Sequence, residues 1–268
     1  MNQIIECIPN FSEARNPSVL SALEAVAVSV PGASLLDVHS DLDHNRTVFT
    51  LAGTSDGMAE VAFLLAEAAV KHIDLSQHTG VHPRIGAVDV IPFVPIKNAT
   101  MEDCVKLARQ VGERIAEELS FPVFLYEEAA SSPDRKNLAD IRRNAFATAS
   151  QTKNTSPTGP VSGFFPDFGG DIPHPTAGAV AISARKPLIA FNINLNTTDL
   201  NIAKAIAEAV RGSNGGLAYC KALGLYLQTQ NITQVSMNLV DYEQTPIYRV
   251  FEMVKREAAR YGVNIIGS

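Results

Sequence analysis

The 268-residue sequence predicts an α+β fold of two ferredoxin-like β-α-β-β-α-β subdomains, each an α/β sandwich. Three observations predict it. Strand-like and helix-like apolar periods follow the order β-α-β-β-α-β from Ile4 to Pro95. The same order returns from Leu188 to Gly267. Between them, residues 149–176 (ASQTKNTSPTGPVSGFFPDFGGDIPHPT) lose the rhythm. The subdomains are placed at residues 1–178 and 179–268. A short echo supports the repeat: Asn45-Arg46-Thr47 and Asn231-Ile232-Thr233 each follow the central turn.

In the first half, Ile4–Phe11 is a short apolar run, and Asn16 or Ser18 caps a helix that Pro31-Gly32 ends. Ser34–His39 and Thr47–Ala52 read as strands around the polar turn DLDHNR, where Asp and Asn bond their own backbone. Thr54–Ile73 has apolar residues at helical spacing, and Ala87–Pro95 is the next strand. A helix runs from Asn98 to about Leu119, a strand covers Pro122–Tyr126, and a helix covers Leu138–Ala147. In the second half, Leu188–Leu195 is a strand and Thr197–Arg211 a helix. Lys221–Thr229 and Ile232–Leu239 form a strand pair, Thr245–Tyr261 a helix, and Val263–Gly267 the last strand. Two such units packed face to face leave a groove, a frequent place for ligands.

Composition narrows the function. Hydrophobic residues make up 46% and charged residues 19%, the balance of a folded globular chain. A net charge of −6 opposes general nucleic-acid binding and leaves room for a local basic groove. Cys7, Cys104 and Cys220 are far apart, so neither a disulfide framework nor a cysteine-rich zinc site is expected. The start MNQIIECIPN lacks a secretory leader pattern, and no apolar run reaches membrane-span length. The expectation is a cytoplasmic protein without membrane or nucleic-acid partners. G-x-x-x-x-G-K-[ST] and post-strand G-x-G-x-x-G motifs are absent, which argues against nucleotide hydrolysis and dinucleotide chemistry.

The richest stretch is His78–Pro95, HTGVHPRIGAVDVIPFVP. Proline and glycine shape a rigid turn that aims His82 and Arg84. Histidine exchanges protons near neutral pH, and arginine grips a carboxylate through two parallel bonds. His78 and His82 have the i, i+4 spacing of a helical zinc pair, but Gly80 and Pro83 oppose a helix, and no metal is expected. Arg46, Arg84, Arg142, Arg143, Arg185, Lys97 and Lys186 offer a cationic lining, Arg46 and Arg84 standing out at turns beside strand ends. The irregular middle, with Phe164, Phe165, Asp167, Phe168 and His174, reads either as linker or as binding loop. Gly212–Gly216 reads equally as a helix terminus or as backbone donors facing a polar ligand.

Seven ordered blocks add a resemblance: IECIPNFSEARN, LLDVHSDLDHNRTV, IDLSQHTGVHPRIGAVDVIPFVP, LYEEAA, NLADIRR, PDFGGDIPHPTAGAVAISARKPLIAFNINL and QVSMNLVDYEQTPIYRVFEMVKREAARYGV. With them the chain resembles the formiminotransferase domain family, folate-dependent transferases of histidine breakdown and one-carbon metabolism. The resemblance implies two subdomains around a ligand tunnel, with His82 catalytic and Arg84 holding a carboxylate or orienting it. It implies a folate-binding loop at Asp167, Phe168, Gly169, Gly170, His174, Thr176 and Gly178. Asn10, His39, Asn45, Arg46, Gly215 and Gly216 are candidate substrate or supporting residues. The implied reaction moves a formimino group from N-formimino-L-glutamate to N5 of tetrahydrofolate, the co-substrate, in a homodimeric, metal-free enzyme. A folate-binding paralogue without catalysis, and an enzyme using another donor such as formiminoglycine, stay open beside it. The family usually has Gly at Ala14, an acidic residue at His39 and Glu at Val81, so an altered pH profile or donor is expected. Its domain normally continues past Ser268, so a shorter second subdomain is expected.

Overall fold

A computed structural model describes residues 3–81, 83–145 and 164–268. It contains two units, Met1–Arg185 and Lys186–Ser268.

The first apolar run of the chain becomes two short strands, β1 (Ile4–Cys7) and β2 (Asn10–Phe11), on one line. Both pair antiparallel with the same neighbours, and Pro9, which has no N–H, falls in the break. Helix α1 (Pro17–Ala27) starts where the Asn16 side chain accepts from Ser18 N. Strands β3 (Ala33–Asp41) and β4 (Arg46–Gly53) form a hairpin. Helix α2 (Ser55–His72) is capped by Thr54, and β5 (Val88–Lys97) closes the β-α-β-β-α-β set. The strand order β3-β4-β1/β2-β5 puts the first strand between the third and the last, the ferredoxin-like arrangement.

This sheet then grows. Helix α3 (Met101–Leu119) begins at a reciprocal capping box between Thr100 and Asp103. Strand β6 (Val123–Glu127), helix α4 (Leu138–Asn144) and strand β7 (Val180–Ala184) follow. Strand β7 inserts between β5 and β6, parallel to both. Residues 179–185, grouped with the second subdomain by the sequence reading, thus belong to the first unit's sheet. The missed strand, VAISA, is buried throughout. A short parallel strand covered on both faces has no polar alternation to mark it.

Strand β4 shows what the sheet's two faces do. Thr47, Phe49 and Leu51 are buried, whereas Arg46, Val48 and Thr50 are half-buried. Phe11, Phe49, Leu51, Leu65, Ile91, Phe93 and Ile115 form the core on the helix-covered face. On the other face, Val90, Phe124, Tyr126, Ala181, Ile141 and Phe164 make a smaller cluster beneath α4. Beyond it, polar side chains on that face remain accessible.

The second unit contains β8 (Ile189–Leu195), α5 (Leu200–Val210), β9 (Cys220–Leu227), β10 (Ile232–Leu239), α6 (Ile247–Arg260) and β11 (Ile265–Gly267). Its antiparallel order β11-β8-β10-β9 repeats the ferredoxin-like arrangement. Ile193, Leu195, Ile206, Val210, Val235, Met237, Leu239, Val250 and Val254 fill its core. Among the described residues, no helix is long and apolar enough to cross a membrane.

Candidate active site

The β3–β4 turn organises the loop that carries the histidine–arginine motif. Asn45 takes a left-handed φ of 47° and is buried. Its Oδ1 accepts from Ala14 N at 2.8 Å, and its Nδ2 donates to Thr79 O at 3.0 Å. Its own carbonyl lies 3.0 Å from His78 Nε2. The Arg15 guanidinium bonds the same segments, reaching Leu42 O at 2.9 and 2.7 Å and Thr79 O at 3.1 Å. Val81 N donates to Asp43 O at 3.3 Å. A Cβ on Gly80 would stand 2.5 Å from His44 O, so glycine lets the loop lie against the turn. His78 is thus a structural pin, and burial holds its pKa below the ordinary value. His82 lies outside the described residues.

Just past the motif, Asp89 gathers arginines. It is 1% exposed, and its Oδ1 accepts from Ile85 N at 2.8 Å. Its Oδ2 pairs with Arg142 Nη2 from α4. Arg84 donates to Gly80 O at 3.4 Å and feels the field of Asp89. Arg46, the first residue of β4, is pushed below its ordinary pKa mainly by burial; Asp89 opposes the shift, Arg142 adds to it, and Asp41 opposes it. One buried carboxylate thus pairs with Arg142 and acts electrostatically on Arg46 and Arg84.

The same neighbourhood holds the glycine-rich loop. Ala87 N donates to Ala177 O at 2.8 Å, and Ala179 N to Ile85 O at 3.0 Å. Gly86 and Gly178 face each other across this ladder. A Cβ on Gly86 would sit 1.8 Å from Ala179 O, and one on Gly178 2.2 Å from Ile85 O. Thr176 accepts from Leu75 N through its carbonyl at 2.8 Å. His174 Nδ1 accepts from Ala177 N at 3.1 Å, and burial lowers its pKa. Phe168 packs on the core and exchanges backbone bonds with Val123, while Gly169 and Gly170 are exposed. Asp167 is a clamp: Leu125 N and Arg135 Nη1 both donate to its Oδ2 at 2.8 Å. The Arg135 guanidinium also lies 4.9 Å over the Phe164 ring.

The structure therefore brings together Asn45, Arg46, Arg84, His174, Thr176 and Gly178 in the first unit. Asn10 shares the accessible sheet face, paired in register with Val48 and Val90, and its side chain donates to Ile8 O. His39 is exposed on β3, opposite Val48. Gly215 and Gly216 lie in the second unit, after a 3-10 turn at Gly212–Asn214. A Cβ on Gly216 would meet Val210 O at 2.4 Å, which fits the helix-terminus reading of that segment. Sequence reasoning missed Asp89, Arg15 and Arg135. Asp89 left one signal: a lone carboxylate in the apolar run VDVIPF needs a partner. Among the described residues, no group of three or more His, Cys, Asp or Glu is placed to hold a metal ion.

Comparison with known proteins places this geometry. Residues 4–185 match the N-terminal subdomain of the formiminotransferase domain, and residues 190–268 match the formiminotransferase domain. A glutamate formimidoyltransferase of Streptococcus pyogenes is 50% identical over 268 residues, covering 100% of this chain and 88% of the relative. A glutamate formimidoyltransferase of Thermoplasma acidophilum is 46% identical over 97% of this chain and 84% of its own length. The formimidoyltransferase-cyclodeaminase of Mus musculus is 41% identical over 100% of this chain and 49% of its own length. The two family matches meet the two structural units, and the chain belongs to the formiminotransferase domain family.

Proposed function

We propose that the chain transfers a formimino group from N-formimino-L-glutamate to N5 of tetrahydrofolate, giving 5-formiminotetrahydrofolate and glutamate. The observation that carries this reading is the ladder joining Ile85–Ala87 to Ala177–Ala179. It fixes the arginine-bearing turn beside the glycine-rich loop, so that an amino-acid donor and a folate acceptor can be held together. Whole-length identity of 50% to a glutamate formimidoyltransferase supports the same reaction.

The donor's amidine carbon is electrophilic when its nitrogen is protonated. N5 attacks it and a C–N bond forms, giving a tetrahedral intermediate. A base removes the N5 proton, and an acid protonates the departing glutamate nitrogen as the second C–N bond breaks. One histidine titrating near neutral pH serves both steps in turn, contributing ~10²–10⁴-fold. We assign that role to His82. Arg84 and Arg46 hold a substrate carboxylate, and holding both substrates close supplies the proximity effect. Phe168, Gly169, Gly170, His174, Thr176 and Gly178 are assigned to the folate, with Asp167 fixing the loop rather than touching ligand. Acid–base chemistry suffices because the leaving group is an amine.

The test is incubation with tetrahydrofolate and formiminoglutamate, followed by the ultraviolet change of the substituted folate. Turnover that survives His82→Ala overturns the mechanism. Folate binding without turnover would instead identify a non-catalytic paralogue. His39 and Val81 favour a second donor, so formiminoglycine belongs in the same assay. We further place the protein in the cytoplasm as a homodimer. Light scattering at the 28.8 kDa mass of a single chain would refute the dimer.

A further inference from the structure

We propose that Arg15 is a positioning residue for the transfer chemistry: its guanidinium fixes the Thr79–Gly80 peptide, and with it the turn that leads to His82. The proposal rests on the role assigned to His82 above and adds a residue that acts through it.

Arg15 stands just ahead of α1, far in sequence from the turn it serves. Its backbone is set by a neighbour: Glu13 Oε1 accepts from Arg15 N at 2.6 Å and from Asn16 N at 3.0 Å. Glu13 O accepts from Thr47 Oγ1 at 2.6 Å, which ties this bend to the start of β4. From that base the guanidinium spans two loops. Nε and Nη2 close on Leu42 O, in the β3–β4 turn, at 2.9 and 2.7 Å. Nη1 donates to Thr79 O and to Thr79 Oγ1, both at 3.1 Å. The planar fork makes the span possible, since its donors point in fixed directions from one rigid group.

Thr79 O is the acceptor that matters. Asn45 Nδ2 reaches the same oxygen at 3.0 Å. A carbonyl oxygen has two lone pairs, and two donors engage this one, so the Thr79–Gly80 peptide plane has little room to rotate. Gly80 needs that restraint. It must be glycine, because a Cβ would meet His44 O at 2.5 Å, yet glycine is the residue freest to change φ and ψ. The next amide, Val81 N, donates to Asp43 O at 3.3 Å, a long bond beside the Leu42 carbonyl that Arg15 holds. At the far end of the turn, buried Asp89 accepts from Ile85 N at 2.8 Å. Arg15 and Thr79 are exposed, so the clamp adds little to the stability of the fold and acts on the geometry of the turn.

The test compares wild type with Arg15→Ala, Arg15→Lys and Arg260→Ala, the last removing an exposed arginine of the second unit that pairs with Glu257. Steady-state transfer from formiminoglutamate to tetrahydrofolate gives kcat and KM, and amide hydrogen exchange at Val81 reports the clamp itself. Arg15→Ala lowers kcat about tenfold to a hundredfold, the scale of a small misplacement, and leaves KM for both substrates within about twofold. Exchange at Val81 quickens while the strands keep their protection. Arg15→Lys recovers only part of kcat, because one ammonium lacks the fork that serves two carbonyls. Guanidinium ion below denaturing concentrations restores part of kcat to Arg15→Ala and does nothing for Arg260→Ala, which turns over as wild type does. Unchanged kcat in Arg15→Ala overturns the proposal. So does a raised KM at unchanged kcat, which would make Arg15 a substrate contact, and so does a loss of kcat without faster exchange at Val81. Should Arg15→Ala fail to fold, Arg15→Lys carries the same comparison. A wild type that transfers nothing refutes the transfer reading alone. Exchange then decides the clamp: quickened at Val81 in Arg15→Ala it stands, unchanged it falls.

Discussion

Asn45 and Asn231 occupy equivalent turns in the two units, and they should respond very differently to alanine. Both are left-handed, with φ of 47° and 53°. Asn45 is buried and ties three segments together: Oδ1 to Ala14 N, Nδ2 to Thr79 O, and its carbonyl to His78. Asn231 is exposed, and its Oδ1 accepts from Tyr226 OH at 2.6 Å. Alanine at position 45 removes two side-chain bonds at about 1 kcal/mol each and places an ordinary residue in a left-handed conformation at about 1 kcal/mol more. The total comes to about 3 kcal/mol. Alanine at position 231 carries the conformational cost and one solvent-exposed bond, about 1 to 1.5 kcal/mol. Urea denaturation of both variants measures the difference. Because Thr79 leads into the turn bearing His82 and Arg84, kcat of Asn45→Ala should also fall, on the order of tenfold to a hundredfold, at temperatures where the variant is folded. Equal stability losses in the two units would refute the argument that Asn45 is a three-way tie. A full stability loss at position 45 with unchanged kcat would show that the turn's geometry does not govern the chemistry.

Further outcomes follow from the same contacts. Gly86→Ala should destabilise by about 3 kcal/mol in urea and abolish transfer, since its Cβ would meet Ala179 O at 1.8 Å, whereas Gly170→Ala, with nothing within 4 Å, should cost less than about 0.5 kcal/mol. His44, His78 and His174 all have pKa values held below 6.5, chiefly by burial. Below the ordinary histidine value the unfolded chain binds more protons than the folded one, so this stabilisation is present above pH 6.5 and is lost as pH falls through it. Scanning calorimetry from about pH 7.5 to about pH 5.5 should show a falling Tm, and His78→Gln should flatten the slope. Adding carboxylates in His39→Asp/Val81→Glu should move the acid limb of the pH–rate profile to higher pH, since a nearby negative charge raises a histidine's pKa; a profile matching that of the unsubstituted protein would remove these positions from the acid–base chemistry.

The ferredoxin-like order was legible because its signals are local. Caps at Asn16, Thr54, Thr100 and Asp199 mark helix starts, and the alternation along β4 marks a sheet with one helix-covered face. What escaped is non-local. Strand β7 is recognisable only through its two parallel partners, and the break at Pro9 only through the ladder it interrupts. Arg46 and Arg84 were legible as turn arginines, but Asp89 could be placed among them only once β5 and α4 were packed together. Residues 149–163 of the middle segment lie outside the described residues; past them, the bonds of Phe168 to Val123 and of Ala177 to Ala87 are likewise non-local and left no mark in the sequence. Asp167, grouped by sequence with the ligand-contacting residues, spends its carboxylate on Leu125 N and Arg135.

The convergence of these segments is a consequence of strand direction. Strand β4 is antiparallel to β1 and β2, which are antiparallel to β5, so β4 and β5 run the same way. Strands β6 and β7 are parallel to β5. All four therefore begin at one end of the sheet. Arg46 opens β4, Arg84–Ala87 leads into β5, Asp167–Gly169 flanks the start of β6, and His174–Ala179 leads into β7. Open α/β sheets usually bind ligands at the carboxyl ends of their strands. Here the candidate site forms at the amino ends, where loops far apart in sequence must run side by side. Side chains at Gly86 and Gly178 would hold those loops apart, so the two glycines are the sequence's record of the approach. The insertion of β7 thus does more than widen the sheet: it delivers the glycine-rich loop to the arginine-bearing turn, which the four-strand ferredoxin-like set alone does not do.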